Sequence, residues 1–225
     1  MMSQQQLPLG QEAPGPVEIA PGAFWVPGWL DDDAQMELAD AFRQWAEPPA
    51  GLRRLRMRNG APFSTRAVCL GWHWYPYCYS RTCDDNDGAP VKEYPSSLRR
   101  LGAAACEATG FEPVVYDAAI VNLYEPGAKL GLHQDKIEGP EVITAGSPVV
   151  TISLGDTCVF RFGNTDRPSR PYQDVELASG DLFVFGGPSR LAYHGVPKVY
   201  GGTAPSDLGI AGRVSVTLRQ SGQSG

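Results

Sequence analysis

The spacing of apolar positions predicts a first helix shortly after the start of the folded part of the chain. Three consecutive aspartates from Asp31 supply an N-cap candidate and negative charge at the helix N-terminus, where both are favourable. The predicted helix runs to about Ala46, and Pro48-Pro49 ends it. Its predicted buried stripe consists of Leu38, Phe42 and Trp45.

A second amphipathic pattern predicts a helix from Ser96 or Ser97 to Ala108, stopped by Gly110. Its predicted inward-facing residues are Leu98, Leu101 and Ala105.

After Gly110 the pattern changes to short apolar runs separated by Gly, Pro, Asn and Asp. These predicted strands are 114–124, 149–154, 158–162, 175–177, 182–185 and 210–220. Many short strands with this spacing indicate a sandwich, a jelly roll or a barrel. We therefore expect a mainly β (α+β) fold with its helices near the N-terminus.

Composition indicates one globular domain, at about residues 21–220. The chain has 225 residues, 42% of them hydrophobic, with 26 glycines and 20 prolines. We expect a disordered tail over about residues 1–20 and a flexible one over 221–225. No apolar run is long enough to span a bilayer, and no secretory signal is apparent. The five cysteines contain no C-x-x-C pair, which predicts reduced thiols and a cytoplasmic location. We expect a monomer.

Two of the three histidines occur in a pattern that suits a metal ion. His133 and Asp135 form an H-x-D pair, and His194 follows much later. Two imidazoles and one carboxylate form the facial triad that holds non-haem Fe(II) with open coordination positions. On a strand, His133 and Asp135 would share a face, and another strand would deliver His194. An H-x-D pair by itself is a weak signal.

Residues 213–219 alternate between a polar and an apolar face, as a strand does. The polar face contains Arg213, Ser215, Thr217 and Arg219. A surface strand would place this face in water; in a jelly roll it could bind a dicarboxylate, because arginine forms paired hydrogen bonds with carboxylates. Asn122 and Tyr124 alternate in the same way and could complete such a pocket.

Charge is unevenly placed along the chain, although the net charge of -6 argues against general nucleic-acid binding. Residues 53–58 contain four arginines, and Arg161, Arg167 and Arg170 form a second group. Both groups are either solvated faces or surfaces that grip an anionic polymer. The aromatic block at 72–79 is either core packing or a platform on which nucleobases stack. We interpret His73, inside this block, as a structural or surface residue and not as a metal ligand.

Together these segments resemble the AlkB family of Fe(II)/2-oxoglutarate dioxygenases, of the bacterial AlkB type, which repair alkylated nucleic acids. The resemblance covers about residues 22–219 and is strong after Asp117. It depends on residues 122–136, Ser153-Leu154-Gly155, Phe160-x-Phe162-Gly163, Gly180-Asp181, 186–195 and 213–220.

The resemblance implies a double-stranded β-helix over about residues 114–220, with a nucleotide-recognition lid at about 50–95. It implies that His133, Asp135 and His194 bind Fe(II). It also implies that Asn122, Tyr124, Arg213, Ser215 and Arg219 bind 2-oxoglutarate. With O2 as second co-substrate, the implied reaction demethylates 1-methyladenine or 3-methylcytosine in single-stranded DNA, with RNA left open. It releases formaldehyde, succinate and CO2.

The resemblance also implies substrate contacts. Trp72 would stack on a flipped base opposite His133, and Tyr77, Tyr79 and Arg167 would contact the strand backbone. Ile137 departs from the pattern, because the bacterial type member has a base-reading carboxylate there; Glu138 would have to substitute for it. Ser215 stands where the family has asparagine.

Three hypotheses follow. The first is a DNA-repair dioxygenase; the second is the same oxygenase chemistry on a protein, lipid or small molecule. The third is a non-catalytic jelly-roll binding module, which the complete triad and both strand arginines disfavour.

Overall fold

The computed structural model describes residues 15–57, 60–75 and 78–223. Its first part contains β1 (Val17–Ala20), β2 (Ala23–Val26), α1 (Asp32–Ala46), β3 (Arg53–Arg56), β4 (Pro62–Leu70), β5 (His73–Tyr75), β6 (Cys78–Ser80) and α2 (Ser96–Thr109). Its second part contains β7 (Ala118–Tyr124), β8 (Leu130–His133), α3 (Pro140–Thr144), β9 (Val149–Gly155), β10 (Cys158–Gly163), β11 (Tyr172–Leu177), β12 (Leu182–Phe185), β13 (His194–Val199) and β14 (Arg213–Arg219).

Two antiparallel sheets form the body of the molecule. The major sheet has the order β1-β2-β12-β9-β14-β7-β4-β3, and the minor sheet has the order β11-β10-β13-β8. Apolar side chains from both sheets form a core between them, including Phe160, Phe162, Phe183 and Phe185. A second core lies where the helices pack on the major sheet. The architecture is a double-stranded β-helix, so the predicted mainly β jelly roll with N-terminal helices is confirmed.

Both predicted helices are present. The Asp31 carboxylate accepts a hydrogen bond from the Ala34 amide at 2.9 Å, so Asp31 is the N-cap of α1. Leu38 and Phe42 are buried, and Trp45 packs partly against the same core. Helix α2 ends at Gly110, which has the left-handed conformation (φ 74°) that glycine adopts without strain.

Some local predictions are wrong. Val17–Ala20, expected to belong to a disordered tail, forms β1 by pairing with β2. Strand geometry does not place Asp135 beside His133, because β8 ends at His133 and Asp135 lies in the following loop. The short helix α3 was not predicted. In the described part of the chain, no helix is long and apolar enough to cross a membrane.

Strand register brings the polar positions together. β14 lies between β7 and β9, with Ser215 opposite Asn122 on one side and Ser153 on the other. In the minor sheet His194 pairs directly with His133 across β13 and β8. The polar face of β14 is directed inward, since its four members are at most 8% exposed.

Candidate active site

His133, Asp135 and His194 form a cluster whose ligand atoms all lie within 4.8 Å of one another. The two imidazole rings are 4.4 Å apart between centroids. His133 Nε2 lies 3.7 Å from Asp135 Oδ1, and His194 Nε2 lies 3.7 Å from Asp135 Oδ2. The three side chains therefore converge although they come from a strand end, a loop and a strand start.

Each histidine is oriented by a backbone carbonyl two residues earlier. His133 Nδ1 contacts the Gly131 carbonyl at 2.9 Å, and His194 Nδ1 contacts the Ala192 carbonyl at 3.0 Å. A protonated Nδ1 donates in this geometry, which leaves Nε2 as the ligand atom. Burial, assisted by the nearby His133, lowers the pKa of His194 to about 4, so its imidazole is neutral and able to bind a metal at physiological pH.

Asp135 is held ionised by its surroundings. Burial alone would raise the pKa of its carboxyl, but Arg219, His194 and His133 outweigh burial and lower the pKa to about 2. Arg219 donates to Oδ1 at 2.6 Å. The other oxygen, Oδ2, is buried and has no hydrogen-bond partner among the described residues. A buried carboxylate oxygen without a partner, facing the Nε2 of His194, fits an iron ion.

A cavity opens beside the triad. All five residues predicted to bind 2-oxoglutarate line it, together with His133 and His194. Arg213 is 0% exposed, and its Nε donates to the Ser153 hydroxyl at 3.2 Å. Neither of its Nη atoms has a hydrogen-bond partner of good geometry among the described residues. A buried guanidinium in this state requires an anion, so the site fits a carboxylate group of 2-oxoglutarate.

Tyr124 lies beside Arg213, with the guanidinium carbon 5.0 Å from its ring centroid. Burial raises the pKa of Tyr124 to about 12, more than the nearby Arg213 lowers it. The phenol therefore remains protonated and can donate a hydrogen bond to a carboxylate.

The described residues predicted to contact the substrate do not line the cavity. Trp72 is 8% exposed, and its indole N–H donates to Asp117 at 3.1 Å. The Arg81 guanidinium lies 3.5 Å from its ring centroid. The structure does not bring Trp72 to the wall of the cavity, and base stacking on Trp72 stays a prediction. Tyr77 lies outside the described residues, and Arg167 is exposed on a loop.

Ile137 is half-buried, beyond the triad in the same loop. The side chain of Glu138 is 0% exposed, and contact between Glu138 and the base stays a prediction. Its carboxylate accepts hydrogen bonds from Arg190 at 3.1 Å and from the Tyr79 hydroxyl at 3.1 Å, and it contacts Arg219 at 3.4 Å. Glu138 and Tyr79 thus contact each other behind the triad.

Sequence reasoning missed two contributors, Arg190 and Thr151. Arg190 is buried and donates to the Asp135 backbone carbonyl at 2.5 Å. Thr151 lines the cavity, and its hydroxyl lies 3.5 Å from that of Thr217. Alternation placed Thr217 on the polar face of β14, whereas nothing in the spacing of Arg190 indicates its partner. His73 is a structural residue and not a surface residue, because its side chain is 0% exposed and its Nε2 lies 2.6 Å from Asp85.

The fold and the site define the class: a double-stranded β-helix with a His-Asp-His triad able to bind a metal ion, beside a cavity lined by a buried arginine. The model of the 2OG-Fe(II) oxygenase superfamily matches residues 22–219. The chain belongs to this superfamily and, within it, to the AlkB family. It is a dioxygenase that depends on Fe(II) and 2-oxoglutarate and consumes O2.

Similar proteins support this assignment over most of the chain. The AlkB homolog of Caulobacter vibrioides is 37% identical over 210 residues, which are 91% of this chain and 90% of that protein. Escherichia coli AlkB is 40% identical over 184 residues, 81% and 78% of the two chains. The solved structure of OsALKBH1 has a TM-score of 0.84 at 31% identity and covers 91% of this chain and 99% of that one.

Proposed function

We propose that this enzyme oxidatively demethylates N-alkylated bases, of the 1-methyladenine and 3-methylcytosine type, in single-stranded DNA or RNA. The observation that carries the proposal is the shared cavity, whose lining includes His133, His194 and Arg213. Both Nη atoms of Arg213 lack a hydrogen-bond partner of good geometry among the described residues. Its relatives include proteins named as a DNA N(6)-methyladenine demethylase and a tRNA demethylase. We further propose that it acts as a monomer in the cytoplasm, where its five free cysteines stay reduced.

A basic surface beside the cavity favours a nucleic-acid substrate over a neutral one. Arg54 and Arg56 on β3 are exposed, as is Lys129 just before β8. The Ser64 hydroxyl on β4 joins these segments by donating to the Lys129 carbonyl at 2.5 Å. Glu125 neutralises part of the charge by pairing with Arg54 at 2.7 Å. The remaining positive charge suits phosphates, although the whole chain is acidic.

The residues of this chain divide the work. When bound, Fe(II) with 2-oxoglutarate and O2 supplies the oxidising power that hydroxylates the N-methyl group, after which formaldehyde leaves. Arg213, Tyr124 and Asn122 hold the co-substrate carboxylate at the closed end of the cavity. His133, with 35% of its side chain exposed, faces the open end where the base enters. Arg219 keeps Asp135 charged and oriented.

The base-reading position distinguishes this chain from the bacterial type member. Ile137 cannot accept a hydrogen bond from an exocyclic amine, and Glu138 is occupied by Arg190 and Arg219. We therefore propose that selection of the base depends on shape and stacking at this position. An Ile137→Asp variant should discriminate more strongly between lesions that carry an exocyclic amine and lesions that do not.

The test is an oxygen-dependent assay of formaldehyde release over a panel of methylated DNA and RNA oligonucleotides. Release from 1-methyladenine or 3-methylcytosine, dependent on Fe(II) and 2-oxoglutarate and lost in His133→Ala, is the expected result. Tight Mn(II) and 2-oxoglutarate binding without release from any oligonucleotide would contradict the substrate proposal. The alternative of a protein, lipid or small-molecule substrate would then be favoured.

A further inference from the structure

The β5–β6 hairpin forms a sheet of its own, separate from the two main sheets. On β6 the half-buried Tyr79 directs its hydroxyl at Glu138, which belongs to the loop after β8. Burial, with Glu138 also contributing, raises the pKa of Tyr79 far above its ordinary value. The phenol is therefore a permanent donor, and this hydrogen bond joins the hairpin to the loop of the metal ligand Asp135.

Glu138 also forms ion pairs with two arginines. Its side chain is 0% exposed and lies against the buried side chains of Arg190 and Arg219. One carboxylate oxygen, Oε1, receives both the Tyr79 hydroxyl and Arg219; the other, Oε2, receives Arg190. A buried carboxylate with these partners has a single favourable orientation, because any rotation leaves a buried charge unpaired.

Both arginines in turn hold Asp135. Arg219 Nη2 donates to Asp135 Oδ1 at 2.6 Å, and Arg190 Nη1 donates to the Asp135 backbone carbonyl at 2.5 Å. These two contacts leave Oδ2 directed toward His194 without a partner of its own. The position of the iron-binding oxygen therefore depends on Arg190 and Arg219, whose positions depend on Glu138.

We propose that Tyr79 and Glu138 are positioning residues that couple docking of the β5–β6 hairpin to metal binding at Asp135. Coupling between two sites is reciprocal. Metal and co-substrate binding will stabilise the docked hairpin, and removing the Tyr79 hydroxyl will weaken metal binding although Tyr79 touches neither metal nor co-substrate. A nucleic-acid strand that displaces the hairpin would change the iron centre through the same contacts.

The experiment compares Tyr79→Phe with Tyr75→Phe, a matched loss of a hydroxyl on the partner strand β5. Mn(II) affinity is measured at saturating 2-oxoglutarate from the electron paramagnetic resonance signal of free Mn(II). Amide hydrogen exchange in β5 and β6 is measured with and without Mn(II) and 2-oxoglutarate. We expect Tyr79→Phe to bind Mn(II) about three- to tenfold more weakly. This effect is smaller than the roughly 10- to 100-fold typical of residues that contact a metal ligand directly, because Tyr79 acts through Glu138 and Arg219.

In the wild type and in Tyr75→Phe, the ligands should slow exchange in β6; in Tyr79→Phe they should not. The proposal is overturned if Tyr79→Phe keeps wild-type Mn(II) affinity, if its β6 still responds to ligands, or if Tyr75→Phe shows the same losses. Glu138→Gln should weaken Mn(II) binding more than Tyr79→Phe does; if it fails to fold, Tyr79→Phe decides alone. These readouts use no nucleic acid, so they stand independently of the proposed substrate.

Discussion

The two ends of β14 carry the same side chain in opposite electrostatic situations. Arg219, near the iron ligands, is paired with the carboxylates of Asp135 and Glu138. Arg213, six residues earlier on the same face, has a serine hydroxyl and a tyrosine ring beside it but no paired carboxylate among the described residues. Both guanidinium groups are buried, and both line one cavity.

This difference separates structural charge from charge kept for a ligand. A buried arginine that is already paired with carboxylates contributes to stability, because removing it leaves those carboxylates buried without a positive partner. A buried arginine without an anion costs folding free energy, which a bound carboxylate returns. We therefore propose that the co-substrate carboxylate binds at the Arg213 end and that the Arg219 end supports the metal centre.

The largest effect is expected at the iron end, in His133→Ala. His133 is the most exposed ligand of the triad, so the variant should fold. Loss of a direct ligand should weaken Mn(II) binding by more than the roughly 10- to 100-fold measured for outer-shell partners. Formaldehyde release should fall below detection, while the thermal melting curve of the metal-free protein stays close to that of the wild type. Turnover within tenfold of the wild type would remove His133 from the site.

The next effect is on stability, in Arg219→Met. Removing one partner of a buried ion pair typically costs about 3–5 kcal/mol of unfolding free energy, because the Asp135 carboxylate would stay buried without its cation and Glu138 would keep only Arg190. Urea denaturation of the metal-free protein measures this loss. Adding Glu138→Gln in the same chain should recover part of it, since one of the two buried negative charges is then replaced by a neutral amide. An unchanged denaturation midpoint in Arg219→Met would show that the two ends of β14 do not differ.

The matching change at the other end is Arg213→Met, where the metal-free protein should lose little or no stability. The Michaelis constant for 2-oxoglutarate should instead rise on the order of 100-fold, as expected for losing about 2.7 kcal/mol of charged hydrogen bonds. Mn(II) affinity without co-substrate should stay at the wild-type value. Arg213→Lys serves as the control and should recover part of the affinity, because it restores the charge without the paired donors. A destabilised Arg213→Met with normal co-substrate affinity would contradict the assignment.

The gathering of polar residues around the Arg213 end of the cavity was predictable because they lie on strands. Alternation in β14 assigns Arg213, Ser215 and Arg219 to one face, and β7 adds Asn122 and Tyr124 by the same rule. Antiparallel pairing then needs no more than the correct neighbours to bring these side chains together. The helices were predicted for a similar reason, since caps and terminators are local signals.

The iron end was predictable in its residues but not in its geometry. Asp135 reaches the histidines from a loop, and Arg190 fixes that loop from a segment 55 residues away in sequence. The burial of Glu138 follows from the same three-dimensional arrangement. Alternation and helical periodicity describe regular elements, so they carry no information about which distant charges a loop will pair with.

The smallest effect is expected in the middle of the strand, between the two arginines. Ser215 is 4% exposed, and its hydroxyl lies 3.4 Å from the Thr217 hydroxyl on the cavity wall. A hydrogen bond from the Ser215 hydroxyl to the co-substrate would contribute about 0.5–1.5 kcal/mol, so Ser215→Ala should raise the Michaelis constant for 2-oxoglutarate by roughly two- to tenfold. Mn(II) affinity and stability should not change. Ser215→Asn, which restores the residue of the AlkB pattern, should lower the constant instead, because the longer amide reaches further into the cavity. If Ser215→Ala and the wild type have equal Michaelis constants for 2-oxoglutarate, co-substrate recognition is confined to the Arg213 end, and the part of β14 between the two arginines does not contribute to it.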